Sequence, residues 1–301
     1  MKIFYADHIA MPLPEGHRFP GQKYALLREA VMQLKLPGIE LCIPEPASDE
    51  QLLLAHTPEY LAKVIEGTLT EKEIRRMGFP WSPELVERSR RSVGGSIAAC
   101  RAALQDGYSV NLGGGTHHAY PDHGEGFCVF NDVAVAVRAV QAQKLASQAV
   151  IIDTDVHQGN GTAAIFKGDP SVYTFSIHGE KNFPFHKEAG RLDIALPDKS
   201  GDADFLEALY RGTRKSLEES HADLAIYLAG ADPYVGDRLG RLAVTKDGLA
   251  ERDRIVFDLC ERYRLPVAVV MGGGYARDIH DTVEIQLQTI REAARRAVRV
   301  N

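Results

Sequence analysis

Short apolar runs rich in β-branched residues alternate along the chain with longer segments that have the spacing of amphipathic helices. This alternation is typical of βαβ units, which stack into a parallel sheet. Runs such as Ala149–Ile152 and Val267–Val270 are apolar at every position, as expected of strands covered by helices on both faces. The pattern predicts eight strands, at Lys2–Tyr5, Ile39–Ile43, Ser109–Leu112, Ala149–Ile152, Val172–Ser176, Leu192–Leu196, Leu224–Leu228 and Val267–Val270.

Helix signals lie between these runs. Ser82 and Pro83 combine a capping residue with a proline in the first turn, and so predict the start of a helix. The predicted buried stripe of this helix contains Val86, Val93, Ile97 and Leu104. A second stripe, near residue 301, contains Ile285, Leu287 and Ile290. The segments Met11–Pro20 and Gly67–Pro83 are predicted to be loops, and the second is expected to be a mobile flap.

The chain shows no internal repeat and no flexible linker, so we expect one domain over residues 1–301. The predicted fold class is α/β, with an open, mainly parallel eight-stranded sheet and helices on both faces.

Composition narrows the possible classes of protein. The 301 residues include 35 Lys and Arg against 41 Asp and Glu, and the net charge of −6 argues against a nucleic-acid partner. No apolar run approaches the roughly 20 residues that span a bilayer, so we expect no membrane partner and a cytoplasmic location. Four separated cysteines form no CxxC pair, so His and carboxylate side chains would have to hold any metal.

Polar clusters follow four of the predicted strands. They are Gly113–His118 after the third, Asp153–Gly161 after the fourth, Ala229–Pro233 after the seventh and Gly272–Tyr275 after the eighth. In open parallel sheets, ligands bind beyond the carboxyl ends of the strands. The sequence therefore predicts a functional site at this edge of the sheet.

Asp155 and His157 point to the same side of an extended segment and can hold one cation between them. The structural alternative is an Asp that caps the next helix beside a packed His. Asp232 would complete an Asp-His-Asp set with an open position for water, although an Asp before Pro233 is also an ordinary turn residue.

His117, His118 and Tyr275 each follow three glycines, which let the backbone approach a site closely. Each of these residues alone could equally be structural. Because all the clusters fall on the same predicted edge, we favour a catalytic metal site.

These blocks resemble the zinc-dependent histone deacetylase superfamily, the lysine deacylases of the arginase/deacetylase fold. Gly126–Asp132 and Gly236–Gly240 belong to the same pattern, and all the motifs keep the family order. Asp155–Gly161 is most similar to the class IV branch, in which Gln-Gly-Asn replaces His-Gly-Asp. The resemblance implies removal of acetyl or longer acyl groups from lysine side chains in proteins.

The resemblance also implies a role for each site residue. It assigns the catalytic Zn²⁺ to Asp155, His157 and Asp232. His118 matches the general base and later acid, and His117 its electrostatic partner. Asp153 matches the carboxylate that orients His117, Asn160 falls behind His118 where most relatives have a carboxylate, and Tyr275 matches the hydroxyl that holds the substrate carbonyl.

Two further sites follow from the resemblance. The acyl-lysine tunnel is matched by Gly126, Phe127, Phe183 and Leu239. A structural K⁺ site is matched by Asp153, Ser176 and the backbone carbonyls of Asp155, His157 and Ile177. No nucleophilic side chain is needed, and the apolar neighbours of Cys128 indicate an inert thiol.

Three alternatives stay open. Arginase-type ureohydrolases hold two Mn²⁺ ions with additional carboxylates, but here Pro233 and Tyr234 follow Asp232. A deacetylase of small acetylated amines, such as acetylpolyamines, would need acidic rim residues, for which Glu15, Asp122 and Glu125 are available. A non-catalytic acyl-lysine reader is expected to lose a zinc ligand or Tyr275, and none is lost.

Overall fold

The structure, a computed structural model, describes the backbone of residues 1–300 and the side chains of residues 1–297. Its centre is an eight-stranded sheet in the order β2-β1-β3-β8-β7-β4-β5-β6, and every strand pair within it is parallel. The predicted fold class and all eight predicted strands are confirmed. The strands are β1 Lys2–Phe4, β2 Glu40–Cys42, β3 Tyr108–Asn111, β4 Ala149–Asp153, β5 Val172–Gly179, β6 Leu192–Leu196, β7 Leu224–Leu228 and β8 Val267–Val270.

Helices cover both faces of the sheet. One hydrophobic core includes Leu52, Tyr60, Ile97 and Val137, and the opposite core is built around residues of α1, α8, α9 and α10. No helix in the described part of the chain is both long and apolar enough to cross a membrane. The helices are α1 Lys23–Gln33, α2 Asp49–Leu52, α3 Pro58–Glu66, α4 Glu71–Met77, α5 Pro83–Asp106, α6 Asp132–Ala142, α7 Asn160–Ile165, α8 Asp202–Ser220, α9 Lys246–Arg262 and α10 Ile279–Val300.

Local sequence explains the elements that frame the site. The four central strands, β3, β8, β7 and β4, are buried at every position; β7 and β8 are accordingly apolar throughout, whereas β3 contains the buried polar residues Ser109 and Asn111. The edge strand β6 instead alternates between more exposed and less exposed positions until Leu196. As predicted, Ser82 caps α5 by accepting a hydrogen bond from the Leu85 N–H, and Pro83 lies in the first turn.

The prediction that Gly67–Pro83 is a loop is wrong, because this segment contains α4. Thr70 and Glu73 form a reciprocal capping box that starts the helix, and Gly78 ends it in a left-handed conformation. The segment beyond α4 is anchored as well, because Phe79 is buried and the Trp81 indole donates to the Val64 carbonyl at 2.7 Å. The structure thus gives this segment the contacts of a packed element rather than those of a free flap.

The four polar clusters follow β3, β4, β7 and β8, which are the four adjacent central strands β3-β8-β7-β4. Since all four strands are parallel, their carboxyl ends meet at one edge of the sheet. The observed strand order therefore brings the four clusters together, as predicted.

Candidate active site

Asp155, His157 and Asp232 form a buried group at the ends of the adjacent strands β4 and β7. The Nδ1 atom of His157 is 3.0 Å from Asp155 Oδ1 and 3.2 Å from Asp232 Oδ2. One possible ligand atom from each residue lies within 4.8 Å of the others. The structure thus brings together the three residues that the sequence proposed as metal ligands.

Backbone donors fix the two carboxylates of this group. Gly273 N–H donates to Asp155 Oδ2 at 2.7 Å, and Val156 N–H donates to Asp232 Oδ1 at 2.9 Å. A glycine is required at position 273, because a Cβ atom there would lie 2.8 Å from Asp155 Oδ2. Asp232 Oδ2 is buried and finds no hydrogen-bond donor among the described residues, although it faces His157 Nδ1. A buried carboxylate oxygen in this state fits a metal ligand.

The electrostatics of the group also favour a bound cation. Burial opposes protonation of His157, but its contacts with Asp155 and Asp232 outweigh burial and raise its pKa to about 10. Burial, reinforced by the Asp155 charge, raises the pKa of Asp232 to about 7. Two close carboxylates therefore hold positive charge between them, and a metal ion can take the place of that proton.

His117 and His118 stand beside this group with rings 4.1 Å apart. His117 Nδ1 is 2.6 Å from Asp153 Oδ2, and His118 Nδ1 is 2.6 Å from Asn160 Oδ1. These are the two pairs that the sequence analysis proposed. Burial opposes protonation of His117, yet the carboxylates of Asp153 and Asp155 raise its pKa to about 9.

The hydrogen bonds of Asn160 define the state of His118. The Asn160 amide nitrogen donates to Glu125 Oε2 and to the Tyr120 hydroxyl, both at 3.3 Å, so its oxygen faces His118. His118 must then donate from Nδ1, which leaves Nε2 as the proton acceptor of the neutral ring. Burial and the neighbouring His117 charge lower the pKa of His118 and favour this neutral form.

Asp132 holds the loop that carries the two histidines, a role that its motif alone does not reveal. Its carboxylate accepts hydrogen bonds from Gly115 N–H at 3.1 Å and Thr116 N–H at 2.7 Å, and a further one from Ser96. The carboxylate is fully buried at the start of α6. The Asp132 carboxylate therefore holds the glycine-rich loop through the backbone N–H groups of Gly115 and Thr116.

Tyr275 lies in the wall of the site, 8% exposed. Its backbone N–H donates to Asp237 Oδ2 at 2.6 Å, and the other Asp237 oxygen accepts from Leu239 N–H at 2.7 Å. Burial, with the charges of Asp232 and Asp155, raises the pKa of the Tyr275 hydroxyl well above its usual value. The hydroxyl therefore stays protonated and able to donate.

A buried lysine that no motif indicates lies behind Tyr275. Lys23 Nζ donates to the Gly272 carbonyl at 3.1 Å and is 5.5 Å from the centre of the Tyr275 ring. Burial lowers the pKa of Lys23 to about 8, and Asp232 and Asp155 oppose this effect. Lys23 thus supports the loop between β8 and Tyr275, and a single lysine in the first turn of α1 gives no sequence signal of that contact.

An open cavity of about 830 Å³ leads to these residues. All four residues that the sequence assigned to the tunnel line it: Gly126, Phe127, Phe183 and Leu239. The Phe183 ring lies 4.9 Å from that of His118, and Gly126 allows this close packing because a Cβ atom there would meet His118 at 2.7 Å. Apolar side chains therefore border the approach to the polar floor.

The structure also locates the proposed potassium ligands, Cys128 and the three acidic residues considered for amine recognition. Asp153 and Ser176, proposed as potassium ligands, are paired in the register of β4 and β5, and Ile177 is the next residue of β5. Cys128 is buried, and burial raises the pKa of its thiol, as expected of an inert cysteine. Of the three acids considered for amine recognition, Glu125 lines the cavity, whereas Glu15 and Asp122 do not.

Comparison with known proteins agrees with this geometry. Residues 17–289 match the family model of the histone deacetylase domain. An uncharacterized protein of Picosynechococcus sp. is 44% identical over 93% of this chain and 94% of its own length. Histone deacetylase 2 of Arabidopsis thaliana is 32% identical over 81% of this chain and 67% of its own length.

The fold matches solved structures as well. The crystal structure of an HDAC homolog in complex with SAHA has a TM-score of 0.84 and 25% sequence identity, and the match covers 97% of this chain and 83% of that one. The chain therefore belongs to the histone deacetylase family, a family of hydrolases with the deacetylase fold.

Proposed function

We propose that the protein is a zinc-dependent hydrolase that removes acyl groups, acetyl or longer, from the side-chain amine of lysine in proteins. The observation that carries this proposal is the buried Asp155-His157-Asp232 group, with its unpartnered Asp232 oxygen, next to the His118 base. In this family, zinc bound by these three residues would supply a Lewis acid that activates water and polarises the amide carbonyl.

His118 is the proposed general base. Because Asn160 holds its Nδ1–H, the free Nε2 takes a proton from the attacking water and later delivers it to the leaving amine. His117, fixed by Asp153, supports this cycle through its charge. The water oxygen forms a bond to the acyl carbon, the C–N bond breaks, and the products are a carboxylate and the free lysine amine.

Tyr275 is the proposed donor to the substrate carbonyl. Its hydroxyl is protonated, Asp237 accepts its backbone N–H, and Lys23 holds the Gly272 carbonyl of the loop that leads to it. An O–H group placed at the developing oxyanion stabilises the transition state more than the ground state. The four tunnel residues would cover the methylene stem of the lysine, since apolar walls suit an uncharged acyl-lysine.

The structure favours this reading over the alternatives. The Asp155-His157-Asp232 group fits a single metal, and Tyr234 and the Asn160 amide occupy positions where a second metal would require acids. A polyamine would need free carboxylates at the rim, but Glu125 is hydrogen-bonded to Asn160. Our proposal includes two further features. The motif Asp155–Gly161 is of the class IV type, and Asp153, Ser176 and the nearby carbonyls form a structural K⁺ site.

A panel of fluorogenic substrates tests the proposal. It contains lysine bearing acetyl, long fatty acyl or trifluoroacetyl groups, together with an acetylpolyamine. The zinc-loaded protein should hydrolyse at least one acyl-lysine, and chelation should abolish that activity. Turnover of the acetylpolyamine alone contradicts the protein-substrate reading, and no turnover of any amide by the zinc-loaded protein contradicts the hydrolase reading.

A further inference from the structure

The mouth of the cavity is lined by basic side chains in a chain whose net charge is −6. We call this set the basic rim. Glu125 also lines this cavity, and its carboxylate faces Asn160 and His123. The basic rim consists of Arg18, Arg75, Arg76, Lys181, Arg238 and Arg241.

Half of the basic rim is already engaged. Arg75 lies 3.4 Å from Glu71, Arg241 lies 2.6 Å from Asp198, and Arg238 donates to the Tyr275 carbonyl. Arg18, Arg76 and Lys181 are exposed and form no hydrogen bond or ion pair through their side chains in the part of the chain that the structure describes. These three cations are therefore available to a substrate.

The three available cations come from three different segments, and each segment is anchored near the tunnel. His17 Nε2, next to Arg18, is hydrogen-bonded to the Gly78 carbonyl at 3.0 Å. The Arg76 carbonyl accepts from the Gly126 N–H at 3.2 Å. Asn182, next to Lys181, donates to the Leu239 carbonyl at 2.8 Å. The charged side chains are exposed, but their backbones are held around the mouth.

Like charges placed around a concave mouth create a potential that attracts anions and repels cations before contact. The buried Asp155 and Asp232 lie at the floor of the cavity, where a bound divalent cation would offset their charge. The field at the entrance is therefore set by the basic rim. An acyl-lysine is itself uncharged, so the residues next to it decide how this field acts on a substrate.

We propose that the basic rim selects acyl-lysine in acidic polypeptide segments, whose neighbouring carboxylates meet Arg18, Arg76 and Lys181. This inference rests on the proposed deacylase function. A polypeptide is favoured over a small acid because the three cations surround the mouth on separate segments. Phe185, 85% exposed and 6.3 Å from the Phe183 ring, adds an apolar contact at the same rim.

Three peptides of equal length test the inference. All carry the same acyl-lysine, flanked by Glu and Asp, by Gly and Ser, or by Lys and Arg. For the zinc-loaded protein at low salt, kcat/KM should fall from acidic to neutral to basic peptide, by about tenfold or more overall. The difference should shrink at about 1 M salt, where the screening length is about 3 Å.

Charge-reversal variants test whether the basic rim causes the preference for acidic peptides. The double variant Arg18→Glu and Arg76→Glu should narrow or invert the ratio of acidic to basic kcat/KM. Arg211→Glu makes the same kind of change on an exposed residue of α8 that does not line the cavity, and should keep the ratio. Because the ratio compares two substrates on one protein preparation, a loss of folded protein does not alter it.

The outcomes separate the two proposals. Turnover of all three peptides at equal rates, or a preference for the basic peptide, overturns the basic-rim inference and leaves the deacylase function standing. Turnover of free Nε-acyl-lysine with a small diacid attached, as fast as that of the acidic peptide, overturns the polypeptide part. Failure of the zinc-loaded protein to hydrolyse any of these amides overturns the deacylase function, and the inference with it.

Discussion

The Asn160 side-chain oxygen lies 2.6 Å from His118 Nδ1, and its nitrogen lies 3.3 Å from the Glu125 carboxylate. The proposed base, His118, is thus oriented by the neutral amide of Asn160. The Glu125 carboxylate is hydrogen-bonded to this amide and not to the His118 ring. A hydrogen bond from the imidazole Nδ1–H to an amide oxygen fixes the tautomer of the ring without adding a full charge beside it.

Replacing this amide with a carboxylate should shift the pH dependence. Asn160→Asp can accept the same hydrogen bond, but its negative charge favours the protonated imidazole and so raises the pKa of His118 in the free enzyme. We expect the acidic limb of kcat/KM to move to higher pH by about one unit or more. Gln143→Glu, which adds the same charge at an exposed position, should leave the limb in place. A limb that stays or moves to lower pH in the zinc-loaded Asn160→Asp protein would show that the two residues are not coupled.

Removing the Tyr275 hydroxyl should slow the chemical step. Tyr275→Phe loses one donor to the developing oxyanion, and kcat should fall by roughly 10²–10³ while zinc content stays at the wild-type level. Tyr263→Phe, at a half-exposed tyrosine just after α9, serves as the matched control. An unchanged kcat in folded, zinc-loaded Tyr275→Phe protein would give this residue a structural role only.

Two neighbouring aspartates should separate metal binding from loop support. Asp232→Asn should lose zinc, because Asp232 Oδ2, unlike the Asp237 oxygens, has no backbone donor and is left to bind a metal. Asp237→Asn should keep zinc but lose about 1–3 kcal/mol, since both Asp237 oxygens accept backbone N–H groups. Zinc content and denaturant unfolding of both variants check the pair. Zinc retained at full stoichiometry in Asp232→Asn would contradict the ligand assignment.

The buried His56 should make the stability of the fold sensitive to acid. Its Nε2 accepts from Asn131 N–H at 2.9 Å and its Nδ1 faces the Tyr120 carbonyl, so the ring must be neutral. Burial lowers its pKa from 6.5 to about 4. The lowered pKa gives stability that is complete above pH 6.5 and is lost as pH falls toward 4, by about 3 kcal/mol.

Unfolding measured between pH 7 and pH 4 tests this prediction. His56→Gln should show a smaller loss of stability over this range than the wild type, whatever its stability at pH 7. His280→Gln, at an exposed histidine of α10, should follow the wild type. The same pH dependence in His56→Gln and wild type would assign the acid sensitivity to other groups.

Much of the framework could be predicted because the signals are local. Fully apolar runs such as Val267–Val270 mark central strands, and glycine-rich clusters at strand ends mark positions that a parallel sheet brings together. The capping box of Thr70 and Glu73 was equally local, and α4 could have been predicted from it.

Other features depend on contacts between distant segments. Glu125 reaches Asn160 across 35 positions, and Lys23 reaches Gly272 across 249. The available cations of the basic rim at positions 18, 76 and 181 share no motif and meet only in the folded chain. Local sequence patterns indicate how a residue contributes to its own helix or strand, whereas these side chains contact other segments of the chain.

The most direct test of the account is a zinc titration of the metal-free protein, with bound metal and turnover of an acyl-lysine peptide measured in the same samples. The account predicts that binding and activity both saturate at one zinc per chain through Asp155, His157 and Asp232. Two Mn²⁺ per chain with activity on guanidino substrates, or full deacylase activity in the metal-free protein, would contradict it.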